Sequence, residues 1–404
     1  MINIVVLNGG RGAGSLIPSL LENSSFNVTS IVNAYDDGKS TGEIRKFFDM
    51  LGPSDIRKVQ ELMLPNEDDD YESNLSIFQY RFPESQNYDE ALASIKDFIS
   101  SDSCNFLGIS FSSANTASQL RIYLSEFISA LTILEKVKKI KFNFSDCSIM
   151  NCIYAGAFIF HNRNIEDATL SIEKLFNLRG EVIPTSIENK KLSALRENGE
   201  MLYSEAEIVE LRSNVRIERI YLLDEKISKE SFDRLELLEK KQYLDQHHCF
   251  VSISPRAKIA IEKADIIIYS AGTQHSSLYP TYLSVGLAQS IADNHNAFKV
   301  FITNIGADYE TPSYNSSDFI KGAYRYLKLS DQRNYSFEDL FSVNLVNNSQ
   351  QSPDESYVQF DKDEMDKISV PLIHDSFEST EFRGKHDGEK LVKSILNLYE
   401  SKES

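Results

Sequence analysis

The sequence predicts an α/β protein built on a doubly wound, mostly parallel, Rossmann-like sheet with helical insertions, and three observations predict it. The chain opens on a continuous apolar run, Ile4-Val5-Val6-Leu7, the pattern of a parallel strand covered on both faces. A glycine loop, Asn8-Gly9-Gly10-Arg11-Gly12-Ala13-Gly14, follows at once and leads into a helix-prone stretch. The same strand-loop-helix order returns far along the chain, from Ser254, so that two units offer strand-end loops to one crevice, where open α/β sheets bind ligands.

The elements follow in order. Residues 15–21 read as a helix and 28–32 as a second strand that ends at Asn33-Ala34-Tyr35-Asp36-Asp37-Gly38, completing a right-handed β-α-β unit. Ser40-Thr41-Gly42-Glu43 has capping-box spacing, which predicts a helix over about 41–49 that stops near Gly52-Pro53. Ser54 and Asp55 are expected to cap the next helix, and Glu67-Asp68-Asp69-Asp70 reads as a solvated acidic loop. Residues 84–145 read as an inserted α/β block, with helix 88–99, strand 105–111 and helix 114–137. Residues 148–160 are small and apolar, as in a buried helix. The stretch 189–250 is charged and helix-prone with one strand-like run, 216–223, and reads as a charged lobe or flap. The doubly wound pattern then resumes with helix 255–263, Pro255 in its first turn, and strand 265–269. A polar loop over 270–277, helix 281–293 and strand 299–303 follow. A polar linker is expected over 347–355, and a terminal helix from Gly388 with a frayed end at 401–404. There is no internal repeat, so the whole chain, 1–404, is read as one domain carrying two elaborations.

Composition narrows the function. Hydrophobic residues make up 41% and charged residues 25% of 404 positions, globular values, and 19 Tyr with 24 Phe can fill a large core without Trp. A formal charge of −18 repels a phosphate backbone at long range, and no Lys/Arg cluster offsets it, so nucleic acid is not an expected partner. An anionic nucleotide can still bind where backbone N–H groups and a bound cation set the local potential. Cys104, Cys147, Cys152 and Cys249 show neither a C-x-x-C pair nor metal-ligand spacing with the seven histidines, and read as thiols in a reducing compartment. No basic leader and no apolar run of membrane-spanning length is seen, so a cytoplasmic protein without a membrane partner is expected. A homodimer is a further expectation.

Three motifs carry chemistry. Gly9, Gly10, Gly12 and Gly14 allow close backbone approach to a diphosphate, with the following helix supplying free N–H groups. The loop is neither the dinucleotide fingerprint, because Ser15 stands where the third glycine belongs, nor a P-loop, because that same serine replaces the lysine. Asp36 and Asp37 at a strand end can divide Mg²⁺ and ribose between them, or form a plain Asp-Asp-Gly turn. Asp55 and Arg57 add a carboxylate and a guanidinium at a helix start, where a surface pair that complements the helix dipole is the alternative. The loop from Ser270 offers Thr273, Ser276 and Ser277 as hydroxyl donors for a phosphate or sugar, or is an ordinary strand-helix connection. His275 and His386-Asp387 stay ambiguous on chemistry alone. No nucleophile elbow, H-E-x-x-H or Cys/His nucleophile pattern is present.

These pieces, in this order, resemble the family of the 2-phospho-L-lactate transferase CofD and the gluconeogenesis factor YvcK. Residues 5–12 resemble its glycine loop, and Asp36-Asp37-Gly38-Lys39-Ser40-Thr41-Gly42 with Arg45 resembles its Asp-Asp-Gly-Gly-Ser-Ser-Gly stretch. Gly52-Pro53-Ser54-Asp55-Ile56-Arg57 resembles Pro-Pro-Gly-Asp-Ile-Arg, and Phe78-Gln79-Tyr80-Arg81-Phe82 an aromatic signature of the YvcK branch. Asn151, Arg179-Gly180-Glu181-Val182-Ile183-Pro184, Gly272 through Pro280, Glu310-Thr311 and His386-Asp387 match further segments. The resemblance implies a nucleotide-diphosphate or nucleotide-sugar ligand. In CofD-type members a phosphate-linked lactyl group moves from a guanosine conjugate to a deazaflavin with Mg²⁺; in YvcK-type members a UDP-sugar is bound and the role is regulatory. Carried over, it implies Asp36 and Asp55 for the metal, Asp36, Asp37, Asp55 and Arg57 for catalysis, and Asn8, Gly9, Gly10, Arg11, Gly12, Lys39, Ser40, Asn151, Gly272, Thr273, Ser276 and Ser277 for the nucleotide ligand. A Mg-dependent transferase of the CofD type is the leading expectation and a non-catalytic UDP-sugar-binding regulator the alternative. Asn8, Lys39, Ser54 and Ser270-Ala271 depart from the family pattern and point to a divergent ligand.

Overall fold

Apolar, β-branched runs become the strands of the sheet. A computed structural model describes residues 1–331, 333–348 and 356–403. Most of the linker expected over 347–355, and residue 404 of the frayed end, lie outside the described residues. The strands are β1 Ile2–Asn8, β2 Phe26–Val32, β3 Asn105–Phe106, β4 Ile109–Ser110, β5 Glu181–Pro184, β6 Lys191–Arg196, β7 Met201–Leu202, β8 Ile217–Leu223, β9 Ile266–Tyr269, β10 Phe298–Ile302, β11 Val343–Asn347 and β12 Leu372–Asp375.

Seven of them form one sheet in the order β12-β11-β10-β9-β1-β2-β5, and every pairing in it is parallel. The chain builds outward from β1 through β2 to β5, then returns to the other side of β1 and builds through β9 to β12. The strand order therefore reverses between β1 and β9, and a crevice opens there at the carboxyl ends of the strands. Register fixes the two walls: Val6 pairs with Ser30 on one side and with Ile268 on the other. Val6, Leu7, Ile31, Ile267 and Ile268 are completely buried, as expected of strands covered by helices on both faces. The helices Leu16–Leu21 and Gly388–Glu403 pack together on one face.

The block over 84–145 is built on helices Tyr88–Ser100 and Ala114–Lys138 and packs into the main core. Phe48 stacks on Phe127, and Phe47 meets Phe142 edge-on at 5.3 Å. The strand expected over 105–111 is a correction: β3 and β4 are two-residue strands of a hairpin that turns at Leu107 and Gly108, both with φ > 0. The capping box read at Ser40 and Glu43 does not form either. The helix there runs Lys39–Phe48 from Gly38 without a side-chain cap, and Ser40 bonds elsewhere. Helix Ser54–Leu62 likewise starts at Pro53 with no side-chain cap, which leaves Asp55 free for the crevice. The single helix expected over 281–293 is two, Tyr279–Tyr282 and Leu287–Asp293, preceded by a wide π-turn at Gln274–Leu278.

The charged stretch over 189–250 folds as a three-stranded antiparallel sheet, β7-β6-β8, with helices Glu205–Glu210 and Leu237–His247. One face of this sheet has its own small core of Leu195, Met201, Tyr221, Leu223, Phe232 and Leu244. Alternate residues of the same strands, Leu192, Ala194, Ile220 and Leu222, face the main core instead, the period-2 division expected of a strand. Among the described residues no helix is long and apolar enough to cross a membrane.

Candidate functional site

A cleft of about 810 Å³ occupies the crevice between β1 and β9. Its floor is the contact of two loops. Gly12 lies so close to the loop after β9 that a Cβ on it would stand 2.5 Å from the Ala271 carbonyl oxygen, so glycine is what allows the loops to touch. Gly9, Gly10, Arg11 and Gly12 line one side of the cleft and Gly272, Thr273, Ser276 and Ser277 the other. The helix after the glycine loop has only six residues, Leu16–Leu21. The positive potential available to an anion there comes from Arg11, Lys58, Lys385 and the loop backbone more than from a helix dipole.

Acidic groups gather opposite the glycine loop. Asp36, at the end of β2, accepts a hydrogen bond from the Gly38 N–H at 2.8 Å and faces the cleft. Asp55 accepts from Lys58 Nζ at 2.8 Å and from the Gly10 backbone, yet burial outweighs Lys58 and raises its pKa. Glu205 arrives from the lobe. Burial, followed by Asp36, Asp55 and Asp37, pushes its pKa up to about 9, so it is protonated at neutral pH. With Glu205 uncharged, Asp36 and Asp55 are the acidic groups left in this cluster to attract a cation, and Lys58 beside Asp55 offsets part of their charge. Among the described residues no three His, Cys, Asp or Glu side chains stand in a metal-binding arrangement. One or two carboxylates completed by ligand phosphates is the donor set that suits Mg²⁺, and Asp36 with Asp55 fits it.

The turn after β9 is held from within. The Glu310 carboxylate accepts the His275 and Ser276 N–H groups, each at 2.9 Å, and the Ser276 hydroxyl at 2.5 Å. Burial pushes Glu310 up to about 7 against these bonds. Asn304, at the end of β10, pins Gly272 through two bonds, donating Nδ2 to its carbonyl and accepting its N–H. The cleft-facing side chains of this turn are hydroxyls, Thr273, Ser276 and Ser277, linked to one another at 2.9 and 3.0 Å. His275 is buried within the turn and burial holds it neutral, lowered to about 3.

Of the other residues singled out from sequence, Gly14 and His386 also line the cleft, and the rest stand behind or beside it. Asn8 donates to the Gly9 carbonyl at 2.8 Å and accepts from Ser30, shaping the loop from behind. Arg57 is buried and donates to the Phe78 carbonyl at 2.6 Å, with Glu61 beside it at 3.8 Å. Lys39 is exposed and faces Asp146 at 4.0 Å. The Ser40 hydroxyl accepts from the Ser148 N–H at 3.0 Å and from Asn151 at 2.9 Å, which pins the buried helix Ile149–Phe160 against helix Lys39–Phe48. Asp37 accepts from the Ala206 N–H at 3.0 Å and donates its own N–H to Glu205 at 3.4 Å, strapping the lobe to the end of β2. Arg45 braces the same place, donating to the Tyr35 and Asp36 carbonyls and to Asn189. Sequence reasoning missed Glu205, Lys58, Asn304, Val209 and Phe382 as cleft residues. Lys58 carries a signal, three residues after Asp55 on one helix, and Asn304 follows a strand; nothing local in the sequence places Glu205, Val209 or Phe382 there.

Residues 4–384 match the family described as 2-phospho-L-lactate transferase CofD. A gluconeogenesis factor from Listeria innocua is 25% identical over 402 residues, covering 99% of this chain and 96% of its own length. Another from Bacillus subtilis is 24% identical over 410 residues, covering 98% of this chain and 97% of its own. A solved structure of a UPF0052 family member from Bacillus halodurans has the same fold, with a TM-score of 0.65 at 20% identity over 98% of this chain and 100% of that one. A match running nearly end to end, on a sheet whose switch point carries the matched loops, fixes the assignment: the chain belongs to the CofD family.

Proposed function

We propose that this protein is a nucleotide-sugar-binding regulator of the gluconeogenesis-factor type, whose cleft takes a nucleoside-diphosphate-linked ligand. The observation that carries the reading is the composite cleft itself, with a glycine backbone wall on one side and a hydroxyl wall on the other. Gly9, Gly10, Arg11 and Gly12 would receive the diphosphate, and Gly272, Thr273, Ser276 and Ser277 the sugar. Mg²⁺ would be held by Asp36 and Asp55, where it supplies charge neutralisation between those carboxylates and the phosphates. Asn8, Asp37, Ser40, Asn151 and Arg57 act behind the cleft by fixing the loops, and Lys39 stands on the surface facing Asp146. Full-length similarity to chains named gluconeogenesis factors favours the regulator, as does the burial of Arg57, the guanidinium a phosphoryl transfer would use. The cluster of Asp36, Asp55, Glu205 and Lys58 is the observation on the side of a Mg-dependent transferase. The reading places the protein in the cytoplasm, where its four unpaired cysteines stay reduced.

A thermal-shift panel of UDP, a UDP-sugar, GDP, GTP and NAD, each with and without MgCl2, tests it. A ligand at about 100 times its dissociation constant stabilises by about 2.7 kcal/mol. A shift with a UDP-linked ligand, larger with magnesium, is expected. A response to NAD alone would sink both the regulator and the transferase. Release of UMP or transfer of the sugar on prolonged incubation would move the assignment to the transferase.

A further inference from the structure

The mouth of the cleft carries apolar groups that come from neither the glycine loop nor the loop after β9. Among the described residues, two exposed large hydrophobic side chains line it: Val209, 48% exposed, on the lobe helix Glu205–Glu210, and Phe382, 64% exposed, on the loop after β12. No other Phe or Tyr among the described residues lines the cleft. Single exposed apolar side chains are ordinary on a protein surface, so exposure alone says little. What distinguishes Phe382 is that the chain presents it rigidly. Glu378 and His386 pair as an antiparallel bridge at the base of its loop, and the Ser379 N–H donates to the Lys385 carbonyl at 2.8 Å. The Lys385 N–H donates to Phe382's own carbonyl at 3.1 Å, and the Gly384 N–H to Glu378 at 2.6 Å. Gly384 turns the chain at φ 72°, a conformation that favours glycine. An aromatic side chain carried on a backbone held in this way offers a flat face at the mouth of a polar cleft, with the backbone part of its ordering cost already met.

We infer that Phe382 is the stacking platform for the nucleobase of the cleft's ligand, with Val209 of the lobe lining the same mouth; this rests on the nucleotide reading above. The polar end of the cleft matches phosphates and a cation, the hydroxyl wall matches a sugar, and the apolar mouth is the part left for a planar, weakly hydrated ring. Base–aromatic stacking tolerates different bases because each has a π-face, so Phe382 contributes affinity and leaves the choice of base to polar groups around it. Val209 rides on the helix that Asp37 straps to the core, so an occupied mouth also couples the lobe to the ligand.

The absence of Trp from the chain makes the test direct. Phe382→Trp introduces a single indole at the mouth, and Phe250→Trp, at an exposed site outside the cleft, serves as the control. UDP and UMP are expected to quench the indole emission of the Phe382→Trp variant saturably, whereas pyrophosphate and a sugar-1-phosphate leave it unchanged and the control variant responds to none. Calorimetry should show Phe382→Ala weakening UDP binding on the order of tenfold while changing pyrophosphate binding less than about twofold. UDP binding by Phe382→Ala at wild-type strength, or equal quenching by the sugar phosphate, overturns the stacking role alone. Failure of the wild-type chain to bind UDP overturns the nucleotide reading and the stacking role together.

Discussion

Gly12 and Glu173 carry the sharpest consequences at the scale of single residues. A methyl group at Gly12 would press on the backbone of the facing loop, which cannot yield as a side-chain tip can. Gly12→Ala should therefore cost about 1–3 kcal/mol by overpacking and weaken binding of a UDP-linked ligand at the same time; urea unfolding and calorimetry on one preparation check both. Glu173 is buried behind β5, accepts the Val182 N–H at 2.7 Å, and is pushed up to about 7 by burial. Its folded pKa lies above the ordinary glutamate value, so its favourable contribution is complete below about pH 4.5 and is lost as pH rises through 7. Glu173→Gln keeps an acceptor for Val182 and removes the titration. The variant should lose about 2 kcal/mol less stability than wild type between pH 5 and 8, measured from urea midpoints at both ends. Glu310 titrates in the same direction and remains in both proteins, so the difference isolates Glu173. At this scale the sequence was legible in position where chemistry is local: the glycines and Asp36 line the cleft, as their places at strand ends suggested. It could not place Arg57, because a guanidinium beside a helix start reads alike whether it faces a ligand or the Phe78 carbonyl.

Among the elements, the strands of the sheet were legible wherever an apolar run is continuous, as in β1 and β9, since burial on both faces leaves no room for polar alternation. The lobe was not. Its strands β6 and β8 alternate between two cores, and the surrounding lysines and glutamates hide that alternation under a helix-like composition. Its short helix then delivers Glu205 and Val209 to a cleft more than one element away, a placement set by tertiary docking alone. Asp37 is the strap for that docking. Asp37→Ala leaves the Ala206 N–H without its partner and should release the helix Glu205–Glu210. Hydrogen exchange should rise at 205–210 while helix Ser54–Leu62 keeps its protection; unchanged exchange at 205–210 would show that packing holds the lobe without this bond. The π-turn Gln274–Leu278 was equally hidden, because its shape depends on Glu310, which lies on a different loop.

For the molecule as a whole, sheet order is what makes a binding site out of separate loops. The reversal between β1 and β9 puts the ends of both strands at one crevice, and the lobe and the loop after β12 close around it. That two distant β-loop-α units meet there was readable from their recurrence in sequence; how the cleft is walled on its other sides was not, since nothing beside Glu205 marks it and His386, four residues from Phe382, is ambiguous on chemistry alone. The central claim is that this composite cleft binds a nucleoside-diphosphate-linked ligand, with Asp36 and Asp55 carrying the magnesium dependence. Calorimetric titration of a UDP-sugar into the wild-type chain and into the Asp36→Asn, Asp55→Asn double variant, each with and without MgCl2, tests it most directly. The account predicts one site per chain, tighter binding with magnesium in the wild type, and loss of that magnesium effect in the double variant. Magnesium-enhanced binding of equal strength in both proteins, or no binding to the wild type, would contradict it.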